Sequence, residues 1–122
     1  MITFLKSHAL RFWQRTIWSW EGLVHVWETE TSLKHWIVAN ILSSGLAILL
    51  PLSTAETALI CAGGVLVLAA ECMNTAVERV VDDIAQDIRP AAKQAKDTAS
   101  AAVALTAVAV GVAWIVILVG LF

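Results

Sequence analysis

The chain has 122 residues, of which 59% are hydrophobic and only 15% are charged. A soluble domain of this size rarely has so few polar residues to cover its surface, so the composition favours a membrane protein. The length allows one domain with three or four membrane helices. The formal net charge is only −2, so nothing in it points to a nucleic-acid partner.

The first segment, at about residues 4–28, has the pattern of an amphipathic helix. Its apolar residues recur at steps of three and four and form one stripe: Leu10, Trp13, Ile17, Trp20, Val24 and Trp27. Its start is basic, and it has no unbroken apolar run of about 18 residues. Such a helix is predicted to lie in the membrane interface, with its tryptophans at headgroup depth. The alternative is a soluble amphipathic helix packed on a partner.

The next segment, at about residues 33–52, is the first predicted span. It is almost wholly apolar from Trp36 onward, and Pro51 marks its end. At about 20 residues it is just long enough to cross a bilayer. Three small polar side chains within it are suited to hydrogen bonds with a neighbouring helix: Asn40, Ser43 and Ser44.

A second apolar run begins near Ala55, and the helix has no breaker before residue 83. Gly63 and Gly64 within it should allow another helix to approach closely. The run turns polar at Glu71, about 24 Å of helical rise from Ala55 and near the far boundary of a hydrocarbon core of about 30 Å. Four polar side chains then lie within about 80° of one another on one helical face, which we call the carboxylate face. Its members are Glu71, Asn74, Glu78 and Asp82.

The third predicted span lies within about residues 96–122. It follows a polar connection in which Pro90 suits the first turn of a new helix. Basic residues flank the start of the first span and lie between the second and third spans, whereas the turn at residues 53–56 and the C-terminus have none. By the positive-inside rule, the N-terminus and the 83–95 loop are cytoplasmic and the C-terminus lies outside.

The carboxylate face suggests chemistry, because ionisable side chains at such a depth are functional hypotheses by default. Glu30 lies at the foot of the first span and Lys96-Asp97 at the foot of the third, so these groups should converge at one membrane level. Mg²⁺ takes one or two carboxylates with water and phosphate oxygens, a lysine neutralises phosphate charge, and a carboxylate in a drier place serves as a general base. Phosphoryl transfer from a nucleotide requires these parts.

The usual nucleotide-binding motifs are absent from the sequence, which has neither a G-x-x-x-x-G-K-[ST] motif nor a G-x-G-x-x-G motif. Spacing alone therefore leaves three interpretations open. The chain could be a phosphotransferase, a small proton-coupled transporter with Glu71 as its carrier, or a structural subunit whose polar face binds a partner helix. A transporter would not explain why Glu30, Glu78, Lys96 and Asp97 gather at one level.

Two motifs resemble the prokaryotic diacylglycerol kinase family. The first reads Glu71-x-x-Asn74-Thr75-Ala76-Val77-Glu78-x-Val80-Val81-Asp82, and the second reads Lys96-Asp97-x-x-Ser100-Ala101-Ala102-Val103. Further matches upstream are Ser19-Trp20-x-Gly22-Leu23 and Glu30, so the resemblance covers nearly the whole chain. It implies an all-α membrane protein with an interfacial N-terminal helix and three transmembrane helices. It also implies a homotrimer with composite active sites between subunits.

The function that this resemblance implies is an ATP-dependent lipid kinase in a bacterial inner membrane. It would phosphorylate the primary hydroxyl of diacylglycerol by direct in-line transfer and give phosphatidic acid. An undecaprenol kinase is the alternative within the family. The whole chain, residues 1–122, would be one integral membrane kinase domain, with Mg²⁺ as cofactor and the membrane, ATP and the lipid as partners.

The resemblance also implies roles for individual residues. Glu71 would be the general base, Glu30 and Glu78 would hold the Mg²⁺ of MgATP, and Asn74 would bond to the transferring phosphate and orient Glu71. The residues expected to bind ATP are Arg11, Trp18, Glu30, Asn74, Glu78, Lys96 and Asp97. The residues expected on the lipid side are Arg11, Glu71 and Ser100, and Asp82 would support the carboxylate face.

The chain departs from the family pattern at several positions. Ala99 stands where glycine is common, Arg79 where alanine is usual, and Trp36 where the diacylglycerol kinases have an acidic residue. Asp87-Ile88-Arg89 replaces a more usual Glu-Tyr-His, which bears on the contacts to adenine.

Overall fold

The computed structural model describes residues 2–84, 87 and 89–121, and these form four α-helices. The helices are α1 (Ile2–Thr29), α2 (Thr31–Leu49), α3 (Thr54–Ile84) and α4 (Pro90–Leu121). No strand occurs in these ranges. The predicted all-α fold is therefore confirmed.

Local sequence explains where two of the helices begin. Pro90 is the first residue of α4, a position where its missing N–H would have had no helical partner. At the start of α3, Ser53 and Glu56 form a capping box, in which the Glu56 N–H donates to Ser53 Oγ at 3.3 Å and the Ser53 N–H donates to Glu56 Oε2 at 2.7 Å. The Thr57 hydroxyl also donates to the Ala47 carbonyl at 3.4 Å, which fastens α3 to the end of α2.

The chain divides into two compact units, Met1–Glu30 and Thr31–Phe122. In the second unit, α3 packs against both α2 and α4. Because each connection is short, α3 runs antiparallel to its two neighbours. One end of this unit therefore collects the start of α2, the end of α3 and the start of α4. The carboxylate face runs from the middle of α3 toward that end.

The opposite end of the second unit holds the apolar core. Ala47, Ile60 and Ile117, one from each helix, form its buried cluster. Nearby, Trp114 Nε1 donates to Ser43 Oγ at 2.8 Å and joins α4 to α2. This bond confirms that a small polar residue of the first span bonds to a neighbouring helix, whereas the Ser44 hydroxyl bonds within α2, to Asn40 Oδ1 at 3.1 Å.

Gly63 and Gly64 allow both neighbouring helices to approach α3 closely, as the sequence predicted. A Cβ atom on Gly63 would lie 2.8 Å from Val110 Cγ2 on α4, and a Cβ atom on Gly64 would overlap the side chain of Asn40 on α2. Packed interiors do not accommodate such distances. The two glycines therefore set the spacing of α3 from each neighbour.

We expect Gly64→Ala to lower the free energy of unfolding by about 1–3 kcal/mol, because the added methyl group must displace Asn40 from a packed position. Thermal unfolding in detergent micelles measures this loss. Gly111→Ala is the matched control, since a Cβ atom there meets nothing within 4 Å. Combining Gly64→Ala with Asn40→Ala should recover most of the stability, and equal stability of the two single glycine variants would contradict the close approach.

The surface of the second unit is largely apolar. Large side chains such as Leu49, Leu105 and Val119 are exposed along its helices. Within the described residues, α2, α3 and α4 are long and apolar enough to cross a membrane, and α1 is not among these candidates. This confirms the predicted order of one N-terminal helix followed by three spans, in a membrane protein.

Candidate functional site

The buried end of the carboxylate face lies in the middle of α3, where two polar side chains are almost wholly enclosed. Glu71 is 4% exposed, and Thr75, one turn later, is 3% exposed. Burying a carboxylate costs free energy that an apolar residue at the same place would not cost. The position of Glu71 is therefore better explained by function than by stability.

Asn74 and Glu78 form the centre of the carboxylate face. Asn74 Nδ2 donates to Glu78 Oε1 at 3.1 Å, so the amide orients that carboxylate. Asn74 Oδ1 is buried and has no hydrogen-bond partner among the described residues. Since buried polar atoms are nearly always hydrogen-bonded, this oxygen is an acceptor for a ligand or a water molecule. The observed bond goes to Glu78, and the expected orientation of Glu71 by Asn74 stays a prediction.

The start of α4 brings a cation to the same end of the unit. Lys96 Nζ lies 3.1 Å from both carboxylate oxygens of Asp82, which joins α4 to α3. Asp82 follows Glu78 by one helical turn, about 6 Å of rise. The predicted convergence of Lys96 with the carboxylate face is therefore visible in this ion pair.

A second ion pair lies within α4, where Lys93 Nζ bonds to Asp97 Oδ2. Both side chains are exposed, so the pair contributes little to stability. The sequence analysis assigns no role to Lys93 or to the buried Thr75, although Thr75 lies within the first motif. Thr75 follows Glu71 by four positions, and Lys93 precedes Asp97 by four positions. This spacing places each pair on one helical face and is the signal that could have identified them.

The other predicted residues lie on separate elements. Ser100 is exposed on α4. Glu30 ends the first unit, where the Thr29 hydroxyl donates to Glu30 Oε1 at 3.3 Å. Arg11 and Trp18 are exposed on α1 and lie two turns apart on one face of that helix.

The departures from the family pattern have different surroundings. Trp36 is half-buried and lines a cleft of about 90 Å³ between α2, α3 and α4, beside Asn40 and Gly64. Ala99 is half-buried and lines an open groove between α4 and Val77 of α3. Ile88, one of the three substituted loop residues, lies outside the described residues.

The side chains at this end fit a magnesium ion that shares its ligands with phosphate and water. Among the described residues, no three His, Cys, Asp or Glu side chains lie close enough together to hold a metal ion by themselves. Mg²⁺ usually takes only one or two carboxylates and completes its shell with water and substrate phosphates. Glu78, half-buried and oriented by Asn74, is a donor of this kind.

Comparison with known proteins identifies relatives over most of the chain. Residues 17–118 match the family model described as prokaryotic diacylglycerol kinase. A diacylglycerol kinase of Pseudomonas aeruginosa is 32% identical over 110 residues, which cover 90% of this chain and 89% of that protein. The diacylglycerol kinase of Escherichia coli (strain K12) is 31% identical over 101 residues, 83% of each chain. That of Haemophilus influenzae is 33% identical over 99 residues, 81% of this chain and 84% of that protein.

Proposed function

Because this chain belongs to the prokaryotic diacylglycerol kinase family, we propose that it transfers the γ-phosphoryl group of ATP to the primary hydroxyl of diacylglycerol. Family membership makes the protein a lipid kinase, and the acceptor is the part that we propose. The burial of Glu71 on the same helical face as Asn74 and Glu78 supports the proposal, since a buried carboxylate is suited to act as a base and its polar neighbours are suited to a nucleotide.

Glu71 acts as the general base in this proposal. It takes the proton of the lipid hydroxyl while the hydroxyl oxygen forms a bond to the γ-phosphorus. The bond from the γ-phosphorus to the bridging oxygen breaks, and ADP leaves with that electron pair. The products are ADP and phosphatidic acid, and no phosphorylated enzyme is formed. The burial of Glu71 supports this role, because it keeps water from replacing the lipid hydroxyl as the acceptor.

Glu78 and Glu30 hold the Mg²⁺ of MgATP in this proposal. The ion, when bound, neutralises the negative charge of the phosphate oxygens. Asn74 keeps the Glu78 carboxylate in one orientation, and its buried Oδ1 accepts a hydrogen bond from a water molecule that also bonds to the phosphates. The two halves of the Asn74 amide thus serve the carboxylate and the substrates.

The remaining residues divide between the nucleotide and the lipid. Lys96 binds the phosphates as a compact cation, and Asp97 assists at the nucleotide. Arg11 and Trp18 on α1 complete the nucleotide side. Arg11 also contacts the lipid, together with Ser100.

We also propose the assembly and the orientation that the family and the charge pattern favour. The protein is a homotrimer in a bacterial inner membrane, with the N-terminus and the 83–95 loop in the cytoplasm and the C-terminus in the periplasm. The exposed apolar faces of α2, α3 and α4 suit contact with lipid and with other copies. The cytoplasmic orientation gives the carboxylate face access to ATP.

Glu78→Gln is expected to raise the Mg²⁺ concentration for half-maximal activity by about tenfold or more, because a neutral amide replaces a charged ligand. A magnesium titration at saturating ATP measures this shift, and thermal unfolding of the same sample establishes that the variant is folded. A titration identical to that of the unchanged protein would count against Glu78 as a metal ligand.

The acceptor is tested by offering the purified protein MgATP with diacylglycerol and, in parallel, with undecaprenol. We expect phosphatidic acid as the main product and little undecaprenyl phosphate. A reversed preference would assign the protein to the undecaprenol kinases. ATP hydrolysis without any phosphorylated lipid would contradict both assignments.

A further inference from the structure

We propose that Asp82 is a positioning residue, which holds the Lys96 ammonium group at the carboxylate face for contact with the phosphates of ATP. The inference rests on the proposed function, because the phosphate-binding role of Lys96 is part of it. The contact between Asp82 and Lys96 links the end of α3 to the start of α4.

The contact with Asp82 restricts the position of the Lys96 ammonium group. Lysine has a flexible four-carbon stem, so an unheld ammonium group samples many positions. Here Lys96 Nζ lies at 3.1 Å from both Asp82 Oδ1 and Asp82 Oδ2. Asp82 lies one turn beyond Glu78 on α3, so this contact holds the ammonium group at the end of the carboxylate face.

A neighbouring lysine provides the contrast. Lys93 lies about one turn before Lys96 on α4 and pairs with Asp97 of its own helix. That pair is exposed and lies within α4. Lys96 instead reaches across to α3, and its side chain is 37% exposed. Its contact is therefore specific to the face that carries Glu78.

The Lys96 ammonium group has enough N–H donors to bond to Asp82 and to a phosphate oxygen at the same time. A lysine ammonium group has three N–H donors. Two of them serve the two oxygens of Asp82, so one remains for a phosphate oxygen. Asp82 therefore does not have to be displaced when ATP binds. A purely stabilising role is also insufficient, because ion pairs with this much solvent exposure contribute little to stability.

The test is Asp82→Asn, which keeps the shape of the side chain and removes its charge. We expect the KM for MgATP to rise about three- to fivefold, the upper range for the loss of an exposed charge pair, while kcat changes less than about twofold. Asp83→Asn is the matched control, because the adjacent exposed carboxylate points about 100° away around α3. The KM of Asp83→Asn should be unchanged. Asp82→Glu keeps a carboxylate at this position, so its KM should stay close to that of the unchanged protein.

A double-mutant cycle with Lys96→Met separates this inference from the proposed function. If Asp82 acts through Lys96, adding Asp82→Asn to Lys96→Met should not raise the KM further. A normal KM in Lys96→Met would overturn the phosphate-binding role itself. A raised KM in Lys96→Met with an unchanged or lowered KM in Asp82→Asn would overturn only the positioning role. Thermal unfolding of each variant establishes that the comparison is made between folded proteins.

Discussion

Glu71→Gln is expected to lower the turnover number by about 10²–10⁴, the usual effect of removing a general base. Glutamine has the size and shape of glutamate, so the variant should keep the packing of a side chain that is 4% exposed. The folded protein should therefore still bind MgATP. The measurement is kcat at saturating MgATP and diacylglycerol in mixed micelles, with nucleotide binding determined separately.

The matched control for this variant is Glu56→Gln, which makes the same chemical change in the first turn of α3. Glu56 accepts hydrogen bonds from Ser53, so its replacement should cost about 1 kcal/mol of stability and leave turnover intact. Full activity of Glu71→Gln would remove Glu71 from the role of base. Equal losses in both variants would indicate damage to the helix rather than to the chemistry.

Asn74→Ala is expected to lower kcat/KM by about 10- to 100-fold, the usual effect of losing a partner that orients a metal ligand. Asn74 Nδ2 holds Glu78 Oε1 at 3.1 Å, and alanine leaves that carboxylate without its donor. The substitution also removes the buried acceptor, Asn74 Oδ1. The measurement is kcat/KM for MgATP at several Mg²⁺ concentrations, and the deficit should shrink as Mg²⁺ increases.

Two further variants define the origin of the effect. Met73→Ala changes an exposed neighbour on the same helix and should leave kcat/KM unchanged. Asn74→Asp keeps the shape but replaces the donor with a second carboxylate beside Glu78, so it should be at least as impaired as alanine. Unimpaired activity of Asn74→Asp would show that the bond to Glu78 is not needed.

The helices and the carboxylate face were predictable because they depend on spacing along one chain segment. Helical geometry fixes the angle between any two residues of a helix, so the shared face of Glu71, Asn74 and Glu78 follows from their positions alone. The start of α4 at Pro90 follows in the same way from the missing N–H.

The contacts between helices were not predictable, because they depend on how far each helix is rotated about its axis. Periodicity does not indicate that Lys96 meets Asp82 or that Trp114 bonds to Ser43, 71 positions away in the sequence. The two glycines of α3 predicted a close approach, but not that Gly64 faces Asn40. The choice of partner for Asn74 was equally open, since residues three positions before it and four after it are both within reach on a helix.

The continuity of α3 links the depth of Glu71 to the thickness of the bilayer. This helix has 31 residues and is about 46 Å long, whereas a hydrocarbon core is about 30 Å thick. Glu71 lies on the same unbroken helix as the second candidate span, so its depth follows the height and tilt of that helix. A thicker or thinner hydrocarbon core changes the tilt of a spanning helix or deforms the bilayer around it. The distance of Glu71 from the lipid headgroups therefore depends on the thickness of the surrounding bilayer.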